Sequence, residues 1–264
     1  MMIQLLFLVP LIAIDYGASM KLLPTVIGGR LAKPGEIPYQ VSLQEIINEH
    51  HFCGGVIINE YYVVTAAHCM YRRNISDISV NAGTTDLRKP HSVHLIEFAY
   101  IHKKYNPQQS NYPIYDIALL KLETPFVFSF LISSVKLPEQ DQIVEADSLA
   151  LISGYGWITT DGKKSKQLHI VDNIITNQTY CNEVWNSLIS DIQIQDSQIC
   201  AIHPTAEKGA CFGDSGGPLT VNGYLIGLVS FGYDCASTEY PTVYTRIPSF
   251  IDWIYEHIRI NEIW

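Results

Sequence analysis

Gly209-Ala210-Cys211-Phe212-Gly213-Asp214-Ser215-Gly216-Gly217-Pro218 sets one serine among four glycines, directly after an aspartate and four positions after a cysteine. Glycines let backbone N–H groups come close to a ligand and reach φ values closed to other residues. Such a stretch reads as a donor site made of backbone, with Ser215 as its one reactive side chain. A Gly-Asp-Ser turn on a loop of a β protein is the plainer reading. The two are separated by whether the chain also supplies a base, a carboxylate to orient it and a partner for Asp214.

Outward from this stretch, the first such group is in Thr65-Ala66-Ala67-His68-Cys69, which puts a histidine at the end of an apolar strand between two alanines and a cysteine. The chain has nine histidines, but here the small neighbours leave space beside the imidazole and suit a positioned base. Asp116 opens Asp-Ile-Ala-Leu-Leu-Lys-Leu. A carboxylate leading an apolar strand is costly to bury without a hydrogen-bonded partner, and a histidine in need of an orienter provides one.

The body of the chain is rich in short β-branched and aromatic runs, at 56–59, 62–65, 117–122, 149–152, 224–229 and 243–247. Gly, Pro, Asn and Asp separate them, so the spacing predicts an all-β fold of antiparallel strands and many turns. Helical periodicity is confined to Cys181, Val184, Trp185 and Leu188, and to a terminal helix. In that helix Phe250, Ile251, Ile254 and Ile258 share a face, with Ser249 and Asp252 as a capping box. No internal repeat or low-complexity segment interrupts this pattern.

At the amino end an apolar run from Ile3 to Ile14 leads to the small residues Gly17, Ala18 and Ser19. The run is shorter than the ~18 residues of a membrane span and reads as a signal peptide over residues 1–19, so the product is expected to be secreted and extracellular. Six cysteines at 53, 69, 181, 200, 211 and 235, with no Cys-x-x-Cys, point to disulfides and away from a metal site, although the sequence by itself leaves the pairing open. Asn74-Ile75-Ser76 and Asn177-Gln178-Thr179 are glycosylation sequons for an exported chain. The net charge of −9 is diffuse and Lys and Arg form no stripe, so neither nucleic acid nor an anionic membrane is an expected partner.

Thr65–Cys69, Asp116–Leu122 and Gly213–Pro218, in the chain order His, Asp, Ser, resemble the chymotrypsin-like (trypsin-fold) serine endopeptidases, the family behind the standard description of the catalytic triad. The resemblance runs from Val26 to the terminal helix. It implies two six-stranded antiparallel β-barrels with a C-terminal α-helix and an active site between the barrels. It assigns Ser215 as nucleophile, His68 as base, Asp116 as its orienter, and the N–H groups of Gly213 and Ser215 as the oxyanion hole. It also pairs Cys53 with Cys69, Cys181 with Cys200, and Cys211 with Cys235. A further bridge of some relatives falls here on Ala150 and Val221, which have no sulfur to form it.

By the same resemblance, residues 20–25 are a short propeptide of a zymogen and 26–264 the protease domain. A cut before Val26 frees an ammonium that pairs with Asp214. Relatives usually carry Arg or Lys before that cut, where this chain has Pro24-Thr25, with Lys21 the nearest basic residue. The primary pocket takes its base from Gly209, where trypsin-like relatives have an aspartate, and its walls from Gly232 and Thr242. Without that charge a Lys or Arg head group would be buried unpaired, so small to medium apolar residues before the scissile bond (P1) are expected, with Phe and Tyr left open. Ser230, Phe231 and Gly232 should bind substrate backbone as an added strand, with Phe212 near the pocket mouth. The loop at 84–89 lacks the paired glutamates of calcium-binding relatives, and no cofactor or metal is implied. Expected partners are protein or peptide substrates and protein protease inhibitors, met by a monomer. The alternative is a catalytically silent homologue acting as a binding protein, although such homologues commonly lose a serine or histidine that this chain keeps.

Overall fold

A computed structural model describes residues 27–108, 112–158, 164–190 and 192–262. The expected signal peptide and propeptide, and Val26, lie outside the described residues.

The first barrel is built from β2 (Gln40–Glu45), β3 (His50–Ile57), β4 (Tyr62–Thr65), β5 (Ile78–Ala82), β6 (Ser92–Ile101) and β7 (Ala118–Leu122), after a two-residue β1 (Arg30–Leu31). These six close in the order β2-β3-β4-β7-β6-β5, every pair antiparallel. The second barrel comprises β8 (Leu149–Gly154), β9 (His169–Ile175), β10 (Gln198–Ile202), β11 (Pro218–Val221), β12 (Tyr224–Phe231) and β13 (Thr242–Arg246). It closes where β8 pairs with β9, and β1 adds to the outer edge of β9. The expected pair of six-stranded barrels is therefore present.

Alternation along each strand fills both interiors. Val41, Leu43, Val63, Val80, Leu120 and their neighbours form one core, and Ile152, Val171, Ile199, Leu219 and Tyr244 the other. A third apolar layer lies between them and under the terminal helix α3 (Ile251–Glu262). Phe250, Ile251, Ile254 and Ile258 pack there against Val64, Leu119 and Leu228, the face read from the sequence. The capping box is not formed. Ser249 sits in a 3-10 turn (Ile247–Phe250) and donates to Asp196 O, while Asp252 N donates to Gln140 Oε1.

The second periodic segment is helix α2 (Gln178–Leu188), whose N-cap Asn177 accepts from Thr179 N and Tyr180 N. Its buried Cys181 is bonded to Cys200 on β10. The other disulfides join Cys53 on β3 to Cys69, and Cys211 to Cys235. Ala150 and Val221 pack in one apolar cluster, so contact replaces a bridge at that place.

β2 shows how the barrels are fastened. Its polar residues Gln40, Ser42 and Gln44, on the face opposite the core residues Val41 and Leu43, are almost fully buried. Gln44 Nε2 donates to Ser42 Oγ, and Gln40 Oε1 accepts from Ser153 Oγ on β8. Each polar atom met in this way avoids the cost of burial without a partner.

Candidate active site

Each barrel contributes half of the site. At the end of β4, Thr65 Oγ1 donates to Gly54 O, which fixes where the chain leaves the first barrel. Ala66 and Ala67 are fully buried, and the short helix α1 (Ala67–Met70) then presents His68 at the surface of the cleft.

Asp116 is 1% exposed just before β7 and carries four contacts. Its Oδ2 accepts from His68 Nδ1 at 2.7 Å and from Ser230 Oγ at 2.6 Å; its Oδ1 accepts from His68 N at 2.8 Å. Its backbone carbonyl accepts from Thr245 Oγ1. A carboxylate held this way fixes the imidazole with Nδ1 protonated and Nε2 free to accept a proton. Burial opposes the charged imidazolium, but the Asp116 charge and hydrogen bond outweigh it, so the His68 pKa lies above the ordinary histidine value.

Ser215 lies across the cleft, on the turn before β11. Its carbonyl accepts from Gly54 N of the first barrel at 2.8 Å. Gly216 has φ +72°, and a Cβ there would overlap Thr65 Oγ1, so the nucleophile's turn rests directly against the segment leading to His68. No hydrogen bond joins Ser215 Oγ to His68. Such contacts are often long before substrate binds and tighten in the complex.

The backbone around Ser215 is pinned in detail. Trp157 N donates to Phe212 O, which turns the N–H of the same trans peptide, that of Gly213, away from Trp157. The Gly213 carbonyl accepts from His51 Nε2 at 2.8 Å, and His51 Nδ1 accepts from Ser42 Oγ. Burial holds the His51 pKa down to about 4, so the ring is neutral and its Nε2–H donates. Neither Gly213 N nor Ser215 N has an acceptor among the described residues. Unengaged backbone donors in a packed turn are rare and mark a place for a ligand oxygen.

Asp214, between those two donors, is fully buried. Its carboxylate accepts from Gly156 N and Cys211 N, with no cation among the described residues. Burial pushes its pKa up to about 6 against the pull of the two N–H groups. Val26, the expected partner, lies outside the described residues.

Beside Ser215 opens a cavity of about 350 Å³ lined by Ala210, Phe212, Val229, Ser230, Gly232 and Thr242, among others. The acidic lining residue Asp234 is exposed, and its carboxylate accepts from Cys235 N. Gly209 is buried and is not part of this lining, so it is not the pocket base expected of it; its neighbour Ala210 lines the cavity instead. Phe231 ends β12 packed on Tyr112 and Trp185 of α2, which steadies the strand expected to receive substrate backbone. Phe212 is exposed at the mouth and packs against Trp157, the rings tilted with centroids 4.9 Å apart.

A family model described as Trypsin matches residues 26–254. The chain belongs to the trypsin family. Among relatives of this trypsin-family chain, Chymotrypsin-2 of Vespa crabro is 39% identical over 230 residues, covering 87% of this chain and 98% of its own length. Trypsin of Phaedon cochleariae is 32% identical over 267 residues, covering 98% of this chain and 100% of its own length. A solved structure titled neuropsin, a serine protease expressed in the limbic system of mouse brain, matches with a TM-score of 0.78 at 28% identity, over 87% of this chain and 98% of that one. The trypsin-family chain is a serine endopeptidase acting on protein or peptide substrates.

Sequence reasoning singled out His68, Asp116 and Ser215, but not Ser42, His51 or Thr245. Ser230 was read for its backbone, while its side chain is spent on Asp116. No motif surrounds His51, and only the β2–β3 pairing reveals its role.

Proposed function

We propose that this chain is a secreted endopeptidase that cleaves through an acyl-enzyme on Ser215. His68 Nε2 takes the hydroxyl proton as Ser215 Oγ attacks the scissile carbonyl, and returns it to the leaving amine. Water then enters by the same base and releases the acid product. Asp116 keeps the imidazole in the required tautomer and stabilises its charged form. The N–H groups of Gly213 and Ser215 receive the oxyanion. The observation that carries this reading is that pair of unengaged donors beside a serine whose turn abuts the His68 segment.

The pocket lining supports P1 residues that are uncharged and small to medium in size, with Thr242 narrowing one wall. The names of the two relatives point to different specificities, so neither chooses for this chain. Export over a signal peptide at residues 1–19 agrees with three disulfides and with sequon residues Asn74 and Asn177 that are both exposed. We read the enzyme as a monomeric zymogen, activated by a cut before Val26, and open to protein inhibitors that mimic substrate.

The test uses protein beginning at Val26 and chromogenic peptides ending in Ala, Val, Leu, Phe and Arg, with Ser215→Ala as control. A sulfonyl fluoride should label Ser215 and stop turnover. Cleavage after neutral residues that is absent in the control supports the reading. Neither labelling nor cleavage, in folded protein with Val26 free, would leave a silent homologue instead.

A further inference from the structure

A second cavity, of about 180 Å³, adjoins the one beside Ser215. Its wall includes Gly213, the proposed oxyanion donor, with Phe52, Trp157, Lys164 and Lys166. Phe212 lines both cavities, so the two are neighbours along the cleft. The second takes nothing from Ser230, Phe231 or Gly232, the strand proposed to bind residues ahead of the scissile bond. It therefore lies toward the residues that follow the bond. Side chains of an extended chain alternate, so the residue on the same side as P1 is the second one after the bond, P2′.

The charge of this cavity is the reverse of the protein's. The chain carries −9 overall, yet among the described residues no carboxylate lines the cavity, while Lys164, Lys166 and His50 do. Neither lysine has an ion-pair partner among the described residues. Arg73 comes near as well, 4.0 Å from the centre of the Phe52 ring, but Glu45 compensates it. His51 is spent on Ser42 and the Gly213 carbonyl. The backbone under the two lysines is held: Lys164 forms a β-bridge with Trp157, and Lys166 O accepts from Leu87 N. Two uncompensated ammonium groups on the wall of one cleft attract an anion and can donate to its oxygens.

Resting on the proposed endopeptidase reading, we infer that Lys164 and Lys166 are specificity-determining residues for the leaving side of the substrate, and favour glutamate or aspartate at P2′. The carboxylate meets the two ammonium groups, and Phe52 and Trp157 cover the methylenes behind it. Glutamine there keeps the shape and loses the charge. Lysine there meets like charge.

The experiment measures kcat/KM on internally quenched peptides that differ only at P2′, with Glu, Gln or Lys, and share the P1 residue best cleaved in the chromogenic series. Protein beginning at Val26 should prefer Glu over Gln by about fivefold at low salt, as two exposed charge pairs allow, and the ratio should shrink at about 1 M salt. Lys164→Gln with Lys166→Gln should bring the ratio to about one. Lys164→Glu with Lys166→Glu should turn the preference to Lys. Circular dichroism checks the fold of each variant. A wild type that cleaves the chromogenic peptides with a Glu to Gln ratio near one overturns the inference and leaves the endopeptidase reading standing. A ratio that the folded Gln variant keeps overturns it too. If the variants do not fold, a Glu preference that high salt leaves unchanged overturns it. Cleavage of neither set of peptides overturns both readings.

Discussion

Replacing Asp214 by asparagine should change how stability varies with pH, and by an amount that follows from the burial of its carboxyl. In protein that keeps residues 20–25, the carboxyl titrates at about 6, against 3.8 for an ordinary aspartate. A raised carboxyl pKa means that the folded state binds the proton more tightly. Its contribution is therefore intact below the ordinary value and is lost as pH rises through the folded one. The shift is about 2 units at ~1.4 kcal/mol each, so ionising Asp214 costs the fold on the order of 3 kcal/mol between pH ~4 and ~6. His51, His102 and His169 act oppositely in the same window, because burial holds each down to about 4. The informative quantity is thus the difference between wild type and Asp214→Asn in urea unfolding at several pH values. In the uncut form the asparagine protein should gain up to ~3 kcal/mol on the wild type as pH rises from 4 to 7. In protein beginning at Val26 the gain should vanish or reverse, since a paired ammonium favours the charged carboxylate. A difference that stays constant with pH in the uncut form would refute the reasoning.

Three further outcomes test other parts of the site. Ser230→Ala removes a buried hydrogen bond to a carboxylate, worth ~1.5–3 kcal/mol, and should lower kcat about tenfold or more with KM nearly unchanged; unaltered kcat would sink the assignment. The His68 base must be neutral to work, so kcat/KM for a neutral peptide should fall as pH drops through a midpoint above 6.5, and a midpoint at or below that value would contradict the raised pKa. Gly216→Ala puts a Cβ at positive φ into Thr65 Oγ1 and should cost ~2 kcal/mol or more in urea unfolding, together with most activity. A variant within ~0.5 kcal/mol of wild type would show that the turn has slack.

What the sequence announced and what it hid divide along physical lines. Tyr62–Thr65 is a strand with the expected bounds, and 117–122 and 243–247 are each within a residue or so, because short, largely apolar runs are buried on both faces. β2 carried no such signal. Gln40, Ser42 and Gln44 are polar, and the partners that two of them find once buried, Ser153 for Gln40 and His51 for Ser42, lie on other strands. β6 was equally silent, since Ser92–Ile101 leaves many side chains exposed. In the site, local motifs exposed His68, Asp116 and Ser215 before any geometry was known. Their supports, Ser230, Thr245 and His51, act across 114, 129 and 162 positions, to Asp116 in two cases and to Gly213 in the third, and nothing in the local sequence of any of them records the partner.

The division of the site between two barrels also orders events in time. A ribosome releases the first barrel, with His68 and Asp116, well before it makes Ser215 and Ser230. Until the second barrel docks, Gly54 N lacks the Ser215 carbonyl and Asp116 lacks the Ser230 hydroxyl. On the proposed roles, a chain interrupted anywhere before Ser215 holds a base with nothing to activate. Incomplete synthesis therefore yields an inert fragment, and the cell that makes this enzyme meets its chemistry only once the chain is almost whole.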